Sequence, residues 1–584
     1  MKTRFFKKAL AIFITASVVF SYGCAPTSSH THSFTKKASK EQYLKEDATC
    51  SHGSIYYYSC ECGEKGTETY DNLVTKACIM TAEVVNEKYF KKEATCQKGA
   101  EYFKSCSVCG KASTRDTFFA NELGNHSYTV EKPDGIFIKD EATEEKSAVY
   151  YKSCACGQKG QDTFVFGEPL RAYTNEEKAN YMPTSLTVSL YDSANSIYGF
   201  TYNTVLQPLR PVIQISENKD FSEFEEYPAH TQKQTTVTQA INGKFIDYYI
   251  VKAEIELTAG KTYYYRAYDK YVDVGTPKTS ITAKDTSATK FTFAHVSDSQ
   301  SSENTGVHFR NTLANVTLSS DFIVHTGDVV ESSLYENEWT NMLDSNFDYL
   351  SKIPMMAISG NHETTYKNGN NETFKHFNNK IPEQDTILGY YYSFTYGNAK
   401  FIMLNTNRLD SNKLTNDQYE WLIEELKNNT ATWTIVALHN PMYSAGAYGS
   451  DPQKNQISLA LREQLNDIFV EYGVDIVLQG HDHLFSKTHP LTNGGTVATP
   501  TYREVNGISY TVSPQGVIYV MSGTAGEQTR GVYNKNSSLY DFALDSKKSS
   551  WAEFSIDGNT VTVSVKYDKN GVPTEVYNWG IIKE

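Results

Sequence analysis

The sequence predicts a multidomain protein in which small Cys/His repeats precede an all-β sandwich and an α/β layered domain. All ten cysteines of the 584-residue chain lie between Cys24 and Cys156. Between about 178 and 287, short β-branched and aromatic runs alternate with turn residues, whereas from 290 onward apolar strands alternate with helical segments. A chain of this length is too long for one core, so several domains are expected.

Residues 1–23 are predicted to be an export signal. Lys2, Arg4, Lys7 and Lys8 precede an apolar stretch of 12 residues, which is too short to span a bilayer. The Gly-Cys that follows resembles a bacterial lipoprotein signal. The resemblance implies that Cys24 is lipidated and that the protein is a cell-surface lipoprotein, held at the membrane by the lipid anchor only. The alternative is an ordinary secretory signal and a secreted protein.

The charge of the chain argues against one class of partner. The formal net charge is −13, which is not the basic footprint usual for nucleic-acid binders. An acidic surface also repels phosphate substrates, so a phosphate site must supply its own positive charge. Metal ions are a suitable source of that charge.

Residues 24–175 are predicted to hold a polar tether and three Cys/His-rich repeats. In every repeat the second ligand-type position follows the first by 18 residues, and the third follows the second by 10. Exchange of Cys with His or Glu at these positions favours structural zinc, which accepts thiolate, imidazole and carboxylate ligands. Disulfides or mixed states are the alternative, because exported cysteines are often oxidised. The positions are His32, Cys50, Cys60 and Cys62 in the first repeat, Cys78, Cys96, Cys106 and Cys109 in the second, and His126, Glu144, Cys154 and Cys156 in the third.

Residues 176–288 are predicted to form an antiparallel β-sandwich. Runs such as SLTVSLYD, PVIQISEN and KTYYYRAYDK have the composition of half-buried strands and are separated by turn residues. The segment resembles the fibronectin-III-like N-terminal domain of purple acid phosphatases.

Residues 289–540 are predicted to form the α/β domain. Helices are expected over Leu414 to Asn429, with Thr415 and Gln418 at capping-box spacing, and over 457–472. Five polar motifs follow apolar strands or open loops from them, where active-site loops of α/β folds lie. The motifs are Asp298-Ser-Gln300, Gly327-Asp328-Val-Val-Glu331, Gly360-Asn361-His362-Glu363, Leu438-His439-Asn440-Pro441 and Gly480-His481-Asp482-His483.

These motifs, in this order, resemble the calcineurin-like metallophosphoesterase family. The preceding sandwich, the HNPMYS stretch at 439–444 and the GHDHLFSKTHP stretch at 480–490 resemble its purple acid phosphatase-like group. The resemblance implies a four-layer α-β-β-α fold, two divalent or mixed-valence ions (Fe, Mn, Zn or Mg) and hydrolysis by a metal-bound hydroxide. The implied roles are Asp298 and His483 on metal one, Asp328 bridging both metals, Asn361, His439 and His481 on metal two, and His362 as the group that binds phosphate and protonates the leaving oxygen.

Two positions depart from the family pattern. The first motif has Gln300 where most members have His, and its amide oxygen is expected to be a weak or water-mediated ligand. Purple acid phosphatases have a metal-binding Tyr three residues after the bridging Asp, where this chain has Glu331, so the purple colour is not expected. Tyr335 is predicted to be a loop residue. Tyr443 and Tyr448, which closely follow a ligand, are candidates to contact substrate.

Residues 541–584 read as strands that close the catalytic sheet. The predicted function is extracellular phosphomonoesterase activity on small organic phosphates. The alternatives are a phosphodiesterase or nucleotide hydrolase that uses the same site, and a surface-binding protein with a decayed phosphoesterase domain.

Overall fold

The structure is a computed structural model that describes residues 31–241, 244–300, 306–364, 372–383, 385, 389–534 and 537–584. The predicted signal and Cys24 lie outside these residues. The chain forms two compact units that divide between Ser127 and Tyr128. In the described part of the chain, no helix is long and apolar enough to cross a membrane.

The first unit holds two of the repeats, each folded as a three-stranded antiparallel sheet. Each hairpin closes on a cysteine turn that ends in a left-handed glycine, Gly63 in the first repeat and Gly110 in the second. The N–H of each glycine donates to the carbonyl of the first cysteine of its turn, Cys60 or Cys106. The strands are β1 (Leu44–Glu46), β2 (Ile55–Ser59), β3 (Lys65–Asp71), β4 (Phe90–Lys92), β5 (Gly99–Ser105) and β6 (Ala112–Leu123).

The strands of the third repeat lie in the second unit and pack on the sandwich. Arg210 Nη2 lies 2.9 Å from Glu141 Oε1, and Ala142 N donates to the Tyr271 hydroxyl at 2.8 Å. Buried Tyr150 and Tyr271 share a small apolar cluster. The strands of this repeat are β7 (Ile138–Asp140), β8 (Ala148–Ser153) and β9 (Lys159–Phe166).

The next part of the chain forms two packed antiparallel sheets. Their strand orders are β10-β11-β15-β14 and β13-β12-β16-β17, and β18 also pairs with β16. Inward residues such as Val188, Phe200 and Tyr265 are fully buried between the sheets. The elements are α1 (Asn175–Ala179), β10 (Thr184–Asp192), β11 (Ile197–Thr204), β12 (Pro211–Ser216), β13 (Glu225–Pro228), β14 (His230–Ile241), β15 (Lys244–Glu256), β16 (Thr262–Asp269), β17 (Val274–Gly275) and β18 (Thr279–Thr282).

The rest of the chain forms two mixed sheets with helices. The strands are β19 (Lys290–Val296), β20 (Phe322–His325), β21 (Met355–Ala357), β22 (Tyr392–Tyr396), β23 (Ala399–Met403), β24 (Leu409–Asp410), β25 (Lys413–Leu414), β26 (Trp433–Leu438), β27 (Ile476–Gln479), β28 (Phe485–Thr488), β29 (Leu491–Thr492), β30 (Thr496–Val497), β31 (Thr501–Val505), β32 (Ile508–Val512), β33 (Ile518–Ser522), β34 (Tyr540–Leu544), β35 (Ser550–Asp557), β36 (Thr560–Lys569) and β37 (Val572–Ile582). The helices are α2 (Val307–Ser319), α3 (Glu336–Ser345), α4 (Phe347–Leu350), α5 (Asn416–Lys427), α6 (Ala447–Ser450) and α7 (Gln456–Glu471).

An eight-stranded sheet, β21-β20-β19-β35-β36-β37-β32-β31, faces a seven-stranded sheet, β22-β23-β26-β27-β33-β28-β34. Phenylalanines fill the space between them, and the rings of Phe293 and Phe401 meet edge to face with centroids 5.1 Å apart. Helices α5 and α7 bury Leu422 and Leu465 in a second core with residues of the seven-stranded sheet. Strand β35 pairs directly with β19, so the end of the chain lies inside the eight-stranded sheet.

The predicted order of all-β segments followed by a mixed α/β domain is confirmed. The predicted capping box of α5 is wrong. Thr415 stands at the N-cap but makes no side-chain cap bond. The Gln418 side chain bonds to the backbone of Asn405 instead: its Oε1 accepts from Asn405 N at 2.8 Å and its Nε2 donates to Asn405 O at 3.1 Å. The domain boundaries at 175, 288 and 540 stay predictions.

Candidate metal centre

The polar motifs of the α/β domain meet where strands of the two sheets end. Asp298 follows β19, Asp328 follows β20, His439 follows β26, and His481 and His483 follow β27. Four of these residues have left-handed backbone, with φ of 54° at Asp298, 56° at Asp328, 73° at His481 and 45° at His483. Non-glycine residues hold this strained conformation only where their surroundings impose it, and such positions concentrate at functional sites.

The ligand-type side chains form two clusters that share one carboxylate. Asp328, His439 and His481 make one cluster, and Asp298, Asp328 and His483 make the other. His439 Nε2 lies 3.2 Å from Asp328 Oδ2, and His483 Nε2 lies 3.1 Å from Asp298 Oδ1. Asp328 is the residue that these two clusters share.

Three imidazoles are oriented by backbone carbonyls. Nδ1 of His439 donates to Thr326 O at 2.7 Å, Nδ1 of His362 to Glu331 O at 2.6 Å, and Nδ1 of His483 to Gln528 O at 3.1 Å. A neutral imidazole that donates through Nδ1 carries a bare lone pair on Nε2. Those lone pairs face carboxylate oxygens, so a cation between them fits the donor set.

Two amides complete the convergence of acceptor atoms. Asn361 Oδ1 lies 3.1 Å from His439 Nε2. Gln300 Nε2 donates to Asp328 O at 3.0 Å and to Asp298 O at 3.2 Å when the amide is oriented to satisfy its neighbours, which places Oε1 on the side of Asp328 Oδ2. The role of Gln300 as a weak or water-mediated ligand stays a prediction.

The protonation states suit metal binding. Burial alone would raise the pKa of Asp298 and Asp328, but the imidazoles of His483 and His439 outweigh it and hold both carboxyls below their usual range. Burial and the neighbouring His439 lower the pKa of His481 to about 3, which keeps that ring neutral. His439 is the exception: burial lowers its pKa, but the charge and hydrogen bond of Asp328 prevail and raise it to about 9, so a metal that binds there must displace the proton on Nε2.

Glu363 is a structural residue of the centre to which the sequence assigned no role. Its fully buried carboxylate accepts backbone N–H groups from two loops: Asp328 N and Gly360 N on Oε2 at 2.8 and 2.7 Å, and Val329 N and Val330 N on Oε1 at 2.8 and 3.3 Å. Burial and the charge of Asp328 raise its pKa to about 7. Glu363 therefore ties the loop of the bridging carboxylate to the loop of Asn361 and His362. Its position directly after the Gly-Asn-His motif was the available signal.

Two further histidines lie fully buried beneath the centre. His325 Nδ1 accepts from Gly327 N at 3.2 Å, and its Nε2 lies 2.9 Å from the Ser299 hydroxyl. His295 contacts the hydroxyls of Thr326 and Ser522. Burial lowers the pKa of His295 to about 3 and that of His325 to about 4, so both are neutral residues that fix the loops.

A pocket of about 370 Å³ is lined by the predicted ligands Asn361 and His481. Tyr448 lines it, and the Tyr448 ring lies 4.1 Å from the His481 ring. Lys454 Nζ and the Arg530 guanidinium flank that ring at 5.8 and 5.2 Å. The pocket therefore carries positive charge next to the metal centre in a protein that is acidic overall.

Tyr443, Tyr335 and Glu331 do not line this pocket. The hydroxyl of buried Tyr443 lies 3.1 Å from Asn466 Oδ1, and Tyr335 is 43% exposed at the start of α3. Glu331 Oε2 accepts from Gln528 Nε2 at 3.2 Å. Tyr448 is thus the better placed of the two tyrosines considered for substrate contact.

The cysteine clusters correct the grouping of the repeats. His32 lies with Cys60 and Cys62, as expected, but Cys50 lies with Cys78, Cys106 and Cys109 of the second repeat. Cys96 and His126 also lie in the first unit, and Cys154 and Cys156 in the second.

Glu144 was expected to be a ligand of the third repeat. Among the residues that the structure describes, it belongs to no cluster of metal-type ligands. Its side chain is exposed. The reason is topological, because the loop at this position of a repeat does not reach the cysteine turn of the same repeat.

Comparison with known proteins identifies the domain that carries the centre. Residues 291–485 match the sequence model of the family described as "Calcineurin-like phosphoesterase".

These residues are similar to the calcineurin-like phosphoesterase family.

The domain is also similar in sequence to purple acid phosphatases. The chain is 30% identical over 183 residues to "Purple acid phosphatase 23" of Arabidopsis thaliana, a match that covers 30% of this chain and 35% of the relative. It is 28% identical over 218 residues to "Fe(3+)-Zn(2+) purple acid phosphatase 12" of the same plant, covering 35% and 44%. The chain thus spans less than half the length of these relatives.

A solved structure shows the same fold. The purple acid phosphatase PPD1 from yellow lupin (Lupinus luteus) seeds superposes with a TM-score of 0.55 at 17% identity, over 69% of this chain and 75% of the lupin chain. The predicted metal-dependent phosphoesterase domain, related to purple acid phosphatases, is confirmed.

Proposed function

We propose that this protein is an exported phosphomonoesterase that hydrolyses small organic phosphates at a two-metal centre. The observation that carries the proposal is the position of Asp328, whose carboxylate belongs to both ligand clusters. A carboxylate shared in this way can hold two cations about 3.5–4 Å apart, the separation typical of two-metal phosphatases.

The donor set supports divalent or mixed-valence ions drawn from Fe, Mn, Zn and Mg. Carboxylate, amide and imidazole ligands suit ions of intermediate hardness. One relative is, by its name, a Fe(3+)-Zn(2+) enzyme. When bound, such ions supply Lewis-acid stabilisation of the charge that develops on the phosphoryl oxygens. Asp298 and His483 would hold one ion, Asn361, His439 and His481 the other, and Asp328 both.

His362 is proposed as the proton donor to the leaving oxygen. Its Nδ1 is occupied by the Glu331 carbonyl, which leaves Nε2, 3.9 Å from Asp328 Oδ2, directed at the centre. Burial lowers the pKa of His362, but the charge of Asp328 and the Glu331 carbonyl outweigh it and raise the pKa. The raised pKa favours the protonated imidazole that an acid catalyst requires.

The pocket beside the centre supports a small substrate. Its volume of about 370 Å³ lies at the lower end of ligand sites. Tyr448 offers an aromatic wall for the organic group and Lys454 a positive charge in the lining, while the Arg530 guanidinium lies beside the Tyr448 ring. An acidic protein can thereby attract a phosphate ester to this one position.

The placement of the enzyme outside the cell is part of the proposal. It rests on the export signal and on Cys24 as a lipid anchor. The sandwich is proposed to be a fibronectin-III-like domain, and the catalytic domain a four-layer α-β-β-α fold. Incorporation of labelled palmitate into the protein, lost in Cys24→Ala, would support the anchor, whereas unlabelled secreted protein would support simple secretion.

A substrate panel on the purified, metal-reconstituted protein tests the activity. Phosphomonoesters should be hydrolysed with a higher kcat/KM than diesters or nucleotides, and a chelator should abolish the reaction. Asp328→Asn is the matched inactive control. Preference for diesters or nucleotides would replace the monoesterase proposal with the alternative chemistry on the same site. No hydrolysis of any ester by protein that carries two metals would favour a binding role.

A further inference from the structure

Four cysteines of the first unit converge on one point. The ligand atoms of Cys50, Cys78, Cys106 and Cys109 all lie within 4.8 Å of one another. The Cys50 and Cys106 sulfurs are 3.3 Å apart, and the Cys78 and Cys109 sulfurs 3.5 Å. A disulfide would need about 2.05 Å. Four sulfurs around one tetrahedral zinc, each bonded at about 2.3 Å, lie about 3.8 Å from each other, which is close to the spacing found here.

We propose that these four cysteines bind one structural zinc ion, with one ligand supplied by the first repeat and three by the second. Binding would release the protons of whichever ligands are still thiols, since only thiolates coordinate zinc. The ion therefore joins two repeats, where the repeat pattern alone had placed one ion inside each.

The turn that carries Cys106 and Cys109 is shaped for a thiolate. The Cys106 sulfur accepts hydrogen bonds from the backbone N–H groups of Cys109 and Val108. Left-handed Gly110 closes the turn, and Cys106 N donates to Lys111 O at 2.9 Å. The backbone thus presents both sulfurs on one side before any metal binds.

Backbone hydrogen bonds bring Cys50 to this turn. The segment that leads from the first repeat to Cys78 folds back along the Cys50 loop, with Lys76 N donating to Thr49 O at 2.9 Å and Asn72 N to Ser54 O at 3.1 Å. Cys50 and Cys78 are thereby held side by side, although Cys78 lies 28 positions after Cys50 in the sequence.

The same topology accounts for Glu144. It occupies the repeat position of Cys50, but no further Cys/His repeat follows it before the sandwich. A side chain at position 144 therefore has no cysteine turn of a following repeat with which it could share a metal ion. Loss of the thiol at this one register position is the expected result.

The ion would stabilise a segment that has little apolar core. In the first unit the buried hydrophobic residues are few, with Tyr43, Tyr70, Tyr89, Cys60 and Cys106 among those that the structure describes. Small folds of this kind depend on disulfides or metals for stability.

Cysteine alkylation of the purified full chain, read by mass spectrometry with metal analysis, tests the inference. Cys50→Ser should remove one zinc per chain and raise the alkylation rates of Cys78, Cys106 and Cys109 by about tenfold or more, since loss of a ligand weakens metal binding at least as much as loss of a supporting residue. Cys60 and Cys62 should keep their rates. Reciprocally, Cys78→Ser should raise the alkylation rate of Cys50.

Two further variants keep the test decisive if Cys50→Ser unfolds the segment. Cys50→His can still ligate, so it should retain the zinc and the protection, which separates ligation from folding. Glu144→Gln is the matched control at the same register position and should change neither zinc content nor the rates of Cys154 and Cys156. Disulfides among the four cysteines, or protection of Cys50 that survives Cys78→Ser, would overturn the proposal.

Discussion

Replacing Glu363 with Gln tests how the centre is held together. The carboxylate accepts four backbone N–H groups, two on each oxygen. The Gln amide keeps one acceptor oxygen and turns its NH₂ group toward the other two donors. Two buried N–H groups left unsatisfied at about 1–3 kcal/mol each would lower the free energy of unfolding by about 2–6 kcal/mol.

The larger consequence is expected at the metals. Two of the four backbone N–H groups that donate to Glu363 belong to Asp328 and Gly360. The loops of these residues carry the bridging carboxylate and Asn361. Residues that orient metal ligands typically contribute about 10–100-fold to metal affinity. Glu363→Gln should therefore weaken metal binding by about that factor, and activity should return when metal is added in excess.

Metal titration of chelated protein, followed by phosphomonoester hydrolysis, measures the effect. Glu336→Gln is the matched control, because Glu336 is also a buried carboxylate of this domain but bonds to Asn203 Nδ2 at 2.6 Å, away from the ligands. The control should lose stability without a change in metal affinity. Equal metal affinity in Glu363→Gln and the wild type would refute the positioning role.

Four further predictions concern single residues. Asp328→Asn should lower turnover roughly a thousandfold or more, since the bridge supports several kcal/mol of transition-state stabilisation, while its circular dichroism stays that of the wild type; near-normal turnover would exclude a bridging role. The metal-loaded protein should lack a strong visible charge-transfer band, because Glu331 stands where a tyrosinate would bind; a purple sample would mean that another Tyr binds the metal. In metal-free protein, the pKa of His439 is raised from 6.5 to about 9, so its contribution to stability is complete below about pH 6.5 and disappears as pH rises through 9. Metal affinity should rise over the same pH window, because the metal displaces the proton. Thermal-shift measurements and metal titrations at a series of pH values check the two effects, and profiles that do not change with pH would contradict them. Lys454→Ala should raise KM with little change in kcat, whereas a fall in kcat alone would place Lys454 in the chemical step.

Much of the metal centre could be predicted from the sequence because its ligands follow apolar strands directly. Asp298, Asp328 and His439 stand at ends of runs that are recognisable as buried strands. Parallel strands bring such ends to one edge, so order along the chain becomes proximity in space. The role of Glu363 could not be predicted this way, because it depends on which backbone N–H groups two separate loops turn inward.

The errors have a common physical origin in contacts between distant segments. The capping box of α5 failed because Gln418 bonds to the backbone of Asn405, which a local pattern does not include. The register of the repeats predicts one ligand group in each repeat, but the chain after β3 folds back and brings Cys78 close to Cys50. Packing of the third repeat on the sandwich through Glu141 and Arg210 is likewise invisible in the repeat pattern.

The most direct test of the two-metal centre is anomalous X-ray diffraction from crystals of the active, metal-loaded protein. Two peaks about 3.5–4 Å apart are predicted, with the Asp328 carboxylate between them, Asp298 and His483 on one side, and His439 and His481 on the other. Asp328→Asn crystals should lose at least one peak. A single peak, or two peaks that do not share Asp328, in protein that hydrolyses phosphomonoesters would contradict the proposed centre.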